Sequence, residues 1–202
     1  MMRTATTLCL LAGSLLLIGC SGTAPAPATE GFAPLGLNRA ALPDTVVDFD
    51  GFRGRLYREG RVLISGQPTE EALRQLPGRG VTAVVNLRTP QEMDDRERVA
   101  FDEAVVLAEA GVEYIHLPSG GAEHPYSPAT VDAFHAALTR HEGGVLLHCT
   151  VGWRASHLWA AYLVKYQGFS LAEAYARGTA IGISPAPIES FLDRGMTLKY
   201  TD

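Results

Sequence analysis

Cys149 and Arg154 are the two residues whose types and spacing most directly suggest chemistry. They lie in the run from 145 to 161, which reads Val-Leu-Leu-His-Cys-Thr-Val-Gly-Trp-Arg-Ala-Ser-His-Leu-Trp-Ala-Ala. The apolar start suits a short strand, Gly152 suits a tight turn, and the small and apolar residues from Trp153 onward suit a helix. Strand, turn and helix in that order carry a thiol to a helix N-terminus. Unpaired backbone N–H groups and the helix dipole favour an anion there, and the same field favours a thiolate over a thiol. The backbone N–H groups of Thr150, Val151, Gly152, Trp153 and Arg154 can form a concave nest for the oxygens of an oxyanion. The planar guanidinium of Arg154 matches the edge of such a group. Together these parts describe attack by the Cys149 sulfur on a bound oxyanion centre. A single cysteine is more often a small core residue; the glycine turn and the arginine set this one apart.

The elements that must hold this loop follow from the rest of the chain. Leu56-Tyr57-Arg58 and Arg61-Val62-Leu63-Ile64, on either side of Glu59-Gly60, read as a β-hairpin. Ser65-Gly66-Gln67-Pro68 is a turn, and Thr69 caps a short helix with Leu73 and Leu76 on its apolar side. Val81 to Leu87 is an apolar run of strand length, suited to burial on both faces, and Arg88-Thr89-Pro90 breaks it. A helix is expected over Glu97 to Ala110, with Phe101, Val105 and Ala108 on its inner face and Gly111 past its end. Val112 to Leu117 is the next strand, and a loop with Gly120 and Gly121 follows. Ser127 then caps a helix that begins at Pro128 and turns Val131, Phe134 and Leu138 inward. The helix behind the cysteine loop runs to Gln167. Ser170 and Glu173 form a capping box for another, ended by Gly178, and a last short helix is expected from about Ala186 to Arg194. Strands alternating with helices predict an α/β fold, with a mostly parallel central sheet flanked by helices on both faces. Ligands in such sheets bind at the carboxyl ends of the strands, where Cys149 falls.

The loop resembles that of the cysteine-dependent phosphatases, which reads His-Cys, two residues, Gly, two residues, Arg, then Ser or Thr. It departs in two places: only Trp153 separates Gly152 from Arg154, and Ala155 replaces the hydroxyl residue. The shortened form is similar to that of bacterial phosphatase-like proteins related to the beta-lactamase-hydrolase-like domain, and also to the active loop of rhodaneses. Further matches to the phosphatase-like family, in order and spacing, are Ser65-Gly66-Gln67-Pro68, Val84-Val85-Asn86-Leu87-Arg88 and Tyr114-Ile115-His116-Leu117-Pro118. The Gly-His-Ile segment of rhodaneses is missing. The resemblance implies a phosphatase fold, Cys149 as nucleophile through a phosphocysteine intermediate, and Arg154 as phosphate clamp. His148, at the strand end, is read as orienting the loop through hydrogen bonds rather than exchanging protons. The substrate would be a phosphorylated protein, phosphotyrosine among the candidates, or a small phosphomonoester. No Lys lies between Cys149 and Arg154, so no phosphoinositide preference is implied. The family's acid is an Asp on the loop after the strand that matches Val112 to Leu117. Here that loop has none, which leaves Glu123, and beside it His124, for the role. The alternatives are a rhodanese-like sulfurtransferase with a persulfide on Cys149, and a catalytically weak phosphate-binding module. No metal-ligand spacing occurs among the histidines, and neither metal nor cofactor is expected.

The start of the chain reads as a targeting segment. Arg3 precedes an apolar stretch from Leu8 to Ile18, too short for a comfortable membrane span, so residues 1–19 are expected to be a signal peptide. Leu17-Ile18-Gly19-Cys20 resembles a bacterial lipobox, which implies cleavage before Cys20 and lipid on it. Ser21 points to the outer membrane, with the protein facing the periplasm and held to the membrane by its N-terminal lipid. Residues 20–42 follow as lipidated N-terminus and flexible tether, rich in Ala, Pro, Thr and Gly up to Ala33. Residues 43–202 form the phosphatase-like domain. The chain carries 17 basic and 22 acidic residues with no basic block, which argues against a nucleic-acid partner. Of its 3 cysteines, Cys9 leaves with the signal and Cys20 is committed to lipid, so Cys149 is the one thiol of the domain.

Overall fold

A computed structural model describes residues 35–182 and 188–193. In chain order they form β1 (Asp44–Val46), β2 (Leu56–Glu59), β3 (Val62–Ser65), α1 (Glu70–Gln75), β4 (Val81–Asn86), α2 (Pro90–Asp94) and α3 (Glu103–Ala110). Then come β5 (Glu113–His116), α4 (Pro128–Arg140), β6 (Gly144–His148), α5 (Trp153–Gln167), α6 (Leu171–Ile181) and α7 (Ile188–Phe191). The strands build one six-stranded sheet in the order β1-β2-β3-β6-β4-β5. The β1, β2 and β3 pairings are antiparallel, whereas β3 with β6, β6 with β4 and β4 with β5 are parallel. The expected mostly parallel α/β sheet is what forms, opened by the expected hairpin.

Side chains alternate across the sheet, and each face carries its own core. Val62 and Ile64 of β3, Ala83 and Val85 of β4, and Val145 and Leu147 of β6 face the cluster built by α4, α5, α6 and α7. Leu63, Val84 and Leu146 face the other way, onto Leu73 of α1 and Val106 and Leu107 of α3. This period of two explains why the β3, β4 and β6 segments read as unbroken apolar runs: both faces are covered.

The structure differs from the sequence reading in several places. The helix expected from Glu97 begins at Glu103, because Asp102 caps it there by accepting from the N–H groups of Ala104 and Val105. Its inward residues are Glu103, Val106 and Leu107, while Val105 is 54% exposed. Glu103 turns inward because buried polar partners claim its carboxylate, and that rotation leaves Val105 and Ala108 outside. Pro90–Asp94 is helical beyond the expected break, and α6 continues through a buried Gly178 to a left-handed Gly182. A helix-interior glycine costs only about 1 kcal/mol against alanine, which packing offsets. β1 was not anticipated. Part of the segment read as tether is docked: Leu35 and Leu37 rest on the core, and Arg177 donates to the carbonyls of Asn38 and Arg39 at 3.0 and 2.9 Å. The signal segment, Cys20 and residues 21–34 lie outside the described residues, as do 186, 187 and 194 of the expected last helix.

Candidate active site

The site is set by strand register. Ser65 of β3 lies beside His148 of β6, His148 beside Asn86 of β4, and Asn86 beside His116 of β5. Four parallel strands therefore end level, and the segments that leave them meet at one edge of the sheet. The cysteine loop is pinned on either side: Gln67 N–H donates to Thr150 O at 3.2 Å, and Leu87 N–H to His148 O at 3.0 Å. Cys149 is buried, on the face of the sheet covered by α5. Gly152 caps α5 in a left-handed conformation, with φ of 87°. A Cβ there would come within 3.2 Å of the Ser65 carbonyl carbon, so two constraints select glycine. None of the backbone N–H groups of residues 150–154 is engaged by another group among the described residues. A row of free donors thus sits directly after the sulfur, at the start of a 15-residue helix.

Arg154 does reach the loop, but it is held by a partner absent from the sequence reading. Its Nη2 donates to Glu92 Oε1 at 2.6 Å and its Nη1 to Glu92 Oε2 at 2.8 Å, a two-bond fork. Nη1 also donates to the carbonyls of Leu87 at 3.0 Å and Ser119 at 2.8 Å, and Nη2 to Thr150 Oγ1 at 3.1 Å. The Thr150 hydroxyl donates to Glu92 as well. Burial pushes the Glu92 carboxyl up, but the bonds from Arg154 and Thr150 outweigh it and hold the pKa at about 2. One local signal for Glu92 existed: Thr89-Pro90-Gln91-Glu92 is a capping box with proline at its first helical position, and the structure forms it.

A second network lies under the loop. His148 Nε2 is 3.4 Å from Glu103 Oε2, and both side chains are fully buried. Asn86 donates to Glu103 at 2.7 Å, and Gln67 donates to it from the other side. Burial pushes the Glu103 carboxyl up most strongly, but His148, Gln67 and Arg88 together outweigh it and hold it below its ordinary value. Arg88, also buried, donates to Gln67 Oε1 at 3.0 Å and to the Glu92 carbonyl. His148 is thus set against a buried carboxylate at 3.4 Å.

Glu123 is exposed on the loop before α4, beside a pocket of about 250 Å³ shared with Thr89, Gly120 and His124. No contact among the described residues joins it to Cys149. Tyr126, on the same loop, packs against the core cluster that contains Cys149, and its hydroxyl is within electrostatic range of Arg154, Cys149 and Glu92. Burial, more than those charges, raises its pKa. Trp153 stands against His157, with ring centroids 4.5 Å apart, and its carbonyl accepts from Ser156 Oγ at 2.8 Å. Ser156 is therefore turned back onto its own helix, and Ala155 is buried beneath the loop.

With this geometry established, similarity to known proteins is informative. The family model for the phosphatase-like domain of beta-lactamase hydrolase-like proteins matches residues 61–164, from the start of β3 to α5. The chain belongs to this phosphatase-like family. A beta-lactamase hydrolase-like protein of Xylella fastidiosa strain 9a5c is 31% identical over 134 residues, 66% of this chain but only 30% of that protein. The match therefore covers less than a third of the length of that curated relative. Among solved structures, a DUF442 protein from Shewanella putrefaciens CN-32 is 28% identical, with a TM-score of 0.52 over 68% of this chain and 87% of its own. TpbA of P. aeruginosa, solved with phosphotyrosine, is 22% identical with a TM-score of 0.52 over 71% and 82% of the two chains. PTPMT1, at 22% identity and 0.53 over 65% and 87%, shares the same fold.

Proposed function

We propose that this domain is a cysteine-dependent phosphatase that hydrolyses phosphomonoesters, phosphotyrosine among the candidates, and is lipid-anchored in the bacterial envelope. The observation that carries the activity is the row of free N–H groups from residue 150 to 154, between the Cys149 sulfur and the Arg154 fork. In the first step the sulfur attacks phosphorus, the S–P bond forms, and the P–O bond to the leaving group breaks. The departing oxygen takes a proton from the loop before α4, where Tyr126 and Glu123 are the candidates. In the second step water attacks phosphorus and returns its proton to the group that acted as acid, the S–P bond breaks, and inorganic phosphate leaves with the thiolate restored. The amides bind the equatorial oxygens in both steps. Glu92 and the two carbonyls keep the guanidinium of Arg154 in its plane.

The full chain in detergent, offered an aryl phosphate and, separately, thiosulfate with cyanide, tests the activity. Phosphate release that vanishes in Cys149→Ser supports the reading. Thiocyanate formation would replace it with the rhodanese alternative, and phosphate binding without either product would leave a binding module. The anchor rests on Leu17-Ile18-Gly19-Cys20 and is tested independently. Cys20→Ala should move the protein from the membrane fraction to the soluble periplasm, and an unchanged membrane fraction would remove the anchor.

A further inference from the structure

A pocket of about 490 Å³ opens beside the phosphate loop and shares Thr150 with it. The β1–β2 connection, the turn after β3 and the α2–α3 connection form its walls. Phe52, Pro68 and Phe101 give it flat apolar surface, while Arg53, Arg88 and Arg98 give it three cations. No carboxylate lines it. Arg98 is paired with Asp95 at 3.0 Å on the surface, and the Arg53 side chain has no partner among the described residues. Arg88 is only 2% exposed, and its Nε is buried with no hydrogen-bond partner. Arg53, with no acidic partner among the described residues, beside Arg88 and Arg98 in a lining without a carboxylate, selects for an anion. The aromatic and proline surfaces select for a flat group beside it.

We infer that this pocket receives the leaving group, and that the preferred substrate is an aryl or similarly flat phosphomonoester carrying a second anionic group. The inference rests on the phosphatase reading, because it places the scissile phosphate on the amides of residues 150–154. With the phosphate there, Thr150 is the point at which the ester substituent passes into the pocket. A carboxylate, a sulfonate or a second phosphate offers the same chemistry to the arginines, which bind such groups through charge-assisted hydrogen bonds.

The test compares 4-carboxyphenyl phosphate with 4-carbamoylphenyl phosphate, which match in shape and differ in charge. For the full chain in detergent, kcat/KM should favour the carboxylate by roughly tenfold, the scale of one hydrogen bond to a charged group. That ratio should fall to near one in the double variant Arg53→Ala/Arg98→Ala and shrink with added salt. Binding of both probes to Cys149→Ser gives a second readout, with the same preference expected in Kd. Turnover of both probes at equal kcat/KM, or a ratio untouched in the double variant, overturns the pocket assignment and leaves the phosphatase reading standing. No turnover by the wild type with the binding preference intact overturns the phosphatase reading and leaves the pocket an anion-selective site. Neither turnover nor binding overturns both.

Discussion

Ala155 occupies the position at which cysteine phosphatases place a hydroxyl after the arginine, and that single methyl group bears on which step limits turnover. Ser156 does not compensate, because its hydroxyl is committed to the Trp153 carbonyl at 2.8 Å. Hydrolysis of the phosphocysteine should therefore be the slower step. Rapid quench with an activated aryl phosphate should show a burst of released alcohol, followed by a steady state slower by roughly tenfold or more. Ala155→Ser should raise the steady-state rate and leave the burst rate nearly unchanged. Absence of a burst would place the defect in the first step, on the acid. That acid can be assigned by leaving group. Tyr126 is half-buried against the core cluster that contains Cys149, whereas Glu123 stands exposed. Tyr126→Phe should slow the burst with phenyl phosphate by about 100-fold, the scale of general acid catalysis, and should slow 4-nitrophenyl phosphate far less. Glu123→Gln should leave both within about twofold if Tyr126 is the donor; the reverse pattern would return the role to Glu123.

At the scale of elements, α2 supplies Glu92, which holds Arg154, the proposed phosphate clamp. It has only 5 residues, too few to be stable alone, and its proline start and capping box are what hold it. Through it Glu92 reaches Arg154, 62 residues away in sequence. The Glu92 carboxyl titrates at its ordinary value of 4.5 when unfolded and at about 2 when folded. A depressed pKa contributes stability that is complete above 4.5 and is lost as pH falls from there toward about 2. The wild type should thus lose stability across that acid window more steeply than Glu92→Gln. At neutral pH the variant should be less stable by roughly 1–2 kcal/mol, a modest cost because the pair is partly open to solvent. Urea melts at pH 7 and at pH 3 check this: an equal difference at both would sever the link to titration. In assays, a KM raised in Glu92→Gln would mark the loosened guanidinium.

At the scale of the whole molecule, one buried pair fastens the N-terminal segment, the hairpin and α6 together. Arg177 lies 3.0 Å from Glu59 of β2, Trp159 of α5 donates to the same carboxylate at 2.7 Å, and Arg177 also holds the carbonyls of Asn38 and Arg39. Its guanidinium covers the Phe169 ring at 4.6 Å. Removing one partner of such a pair strands the other charge. Arg177→Ala should therefore cost about 3–5 kcal/mol, read as a lower denaturation midpoint. Its partners lie on β2 and at residues 38 and 39, and none is in the cysteine loop, so kcat of the fraction that remains folded should stay within about twofold. A change confined to kcat would contradict this structural role.

Much of this protein was legible in the sequence because the signals were local. The His148-Cys149 loop, the glycine at 152, the caps at Thr69 and Ser170, and the apolar runs of β4 and β6 each declare themselves within a few residues. Alternation of such runs with helices led to the parallel sheet and placed Cys149 at its carboxyl edge. What the sequence could not decide depends on which strands become neighbours. The sheet order inserts β6 between β3 and β4, and that insertion brings Glu92 to Arg154, Glu103 to His148, and Gln67 and Arg88 to one another. The same neighbours turned Glu103 inward, which rotated α3 and put Val105 in solvent against the pattern of its own helix. Tyr126 emerged likewise, by packing against the core cluster that holds Cys149 rather than by any motif. Helix caps and strand patterns are energies of adjacent residues; partners of a buried charge are chosen by burial, which only the assembled tertiary structure creates.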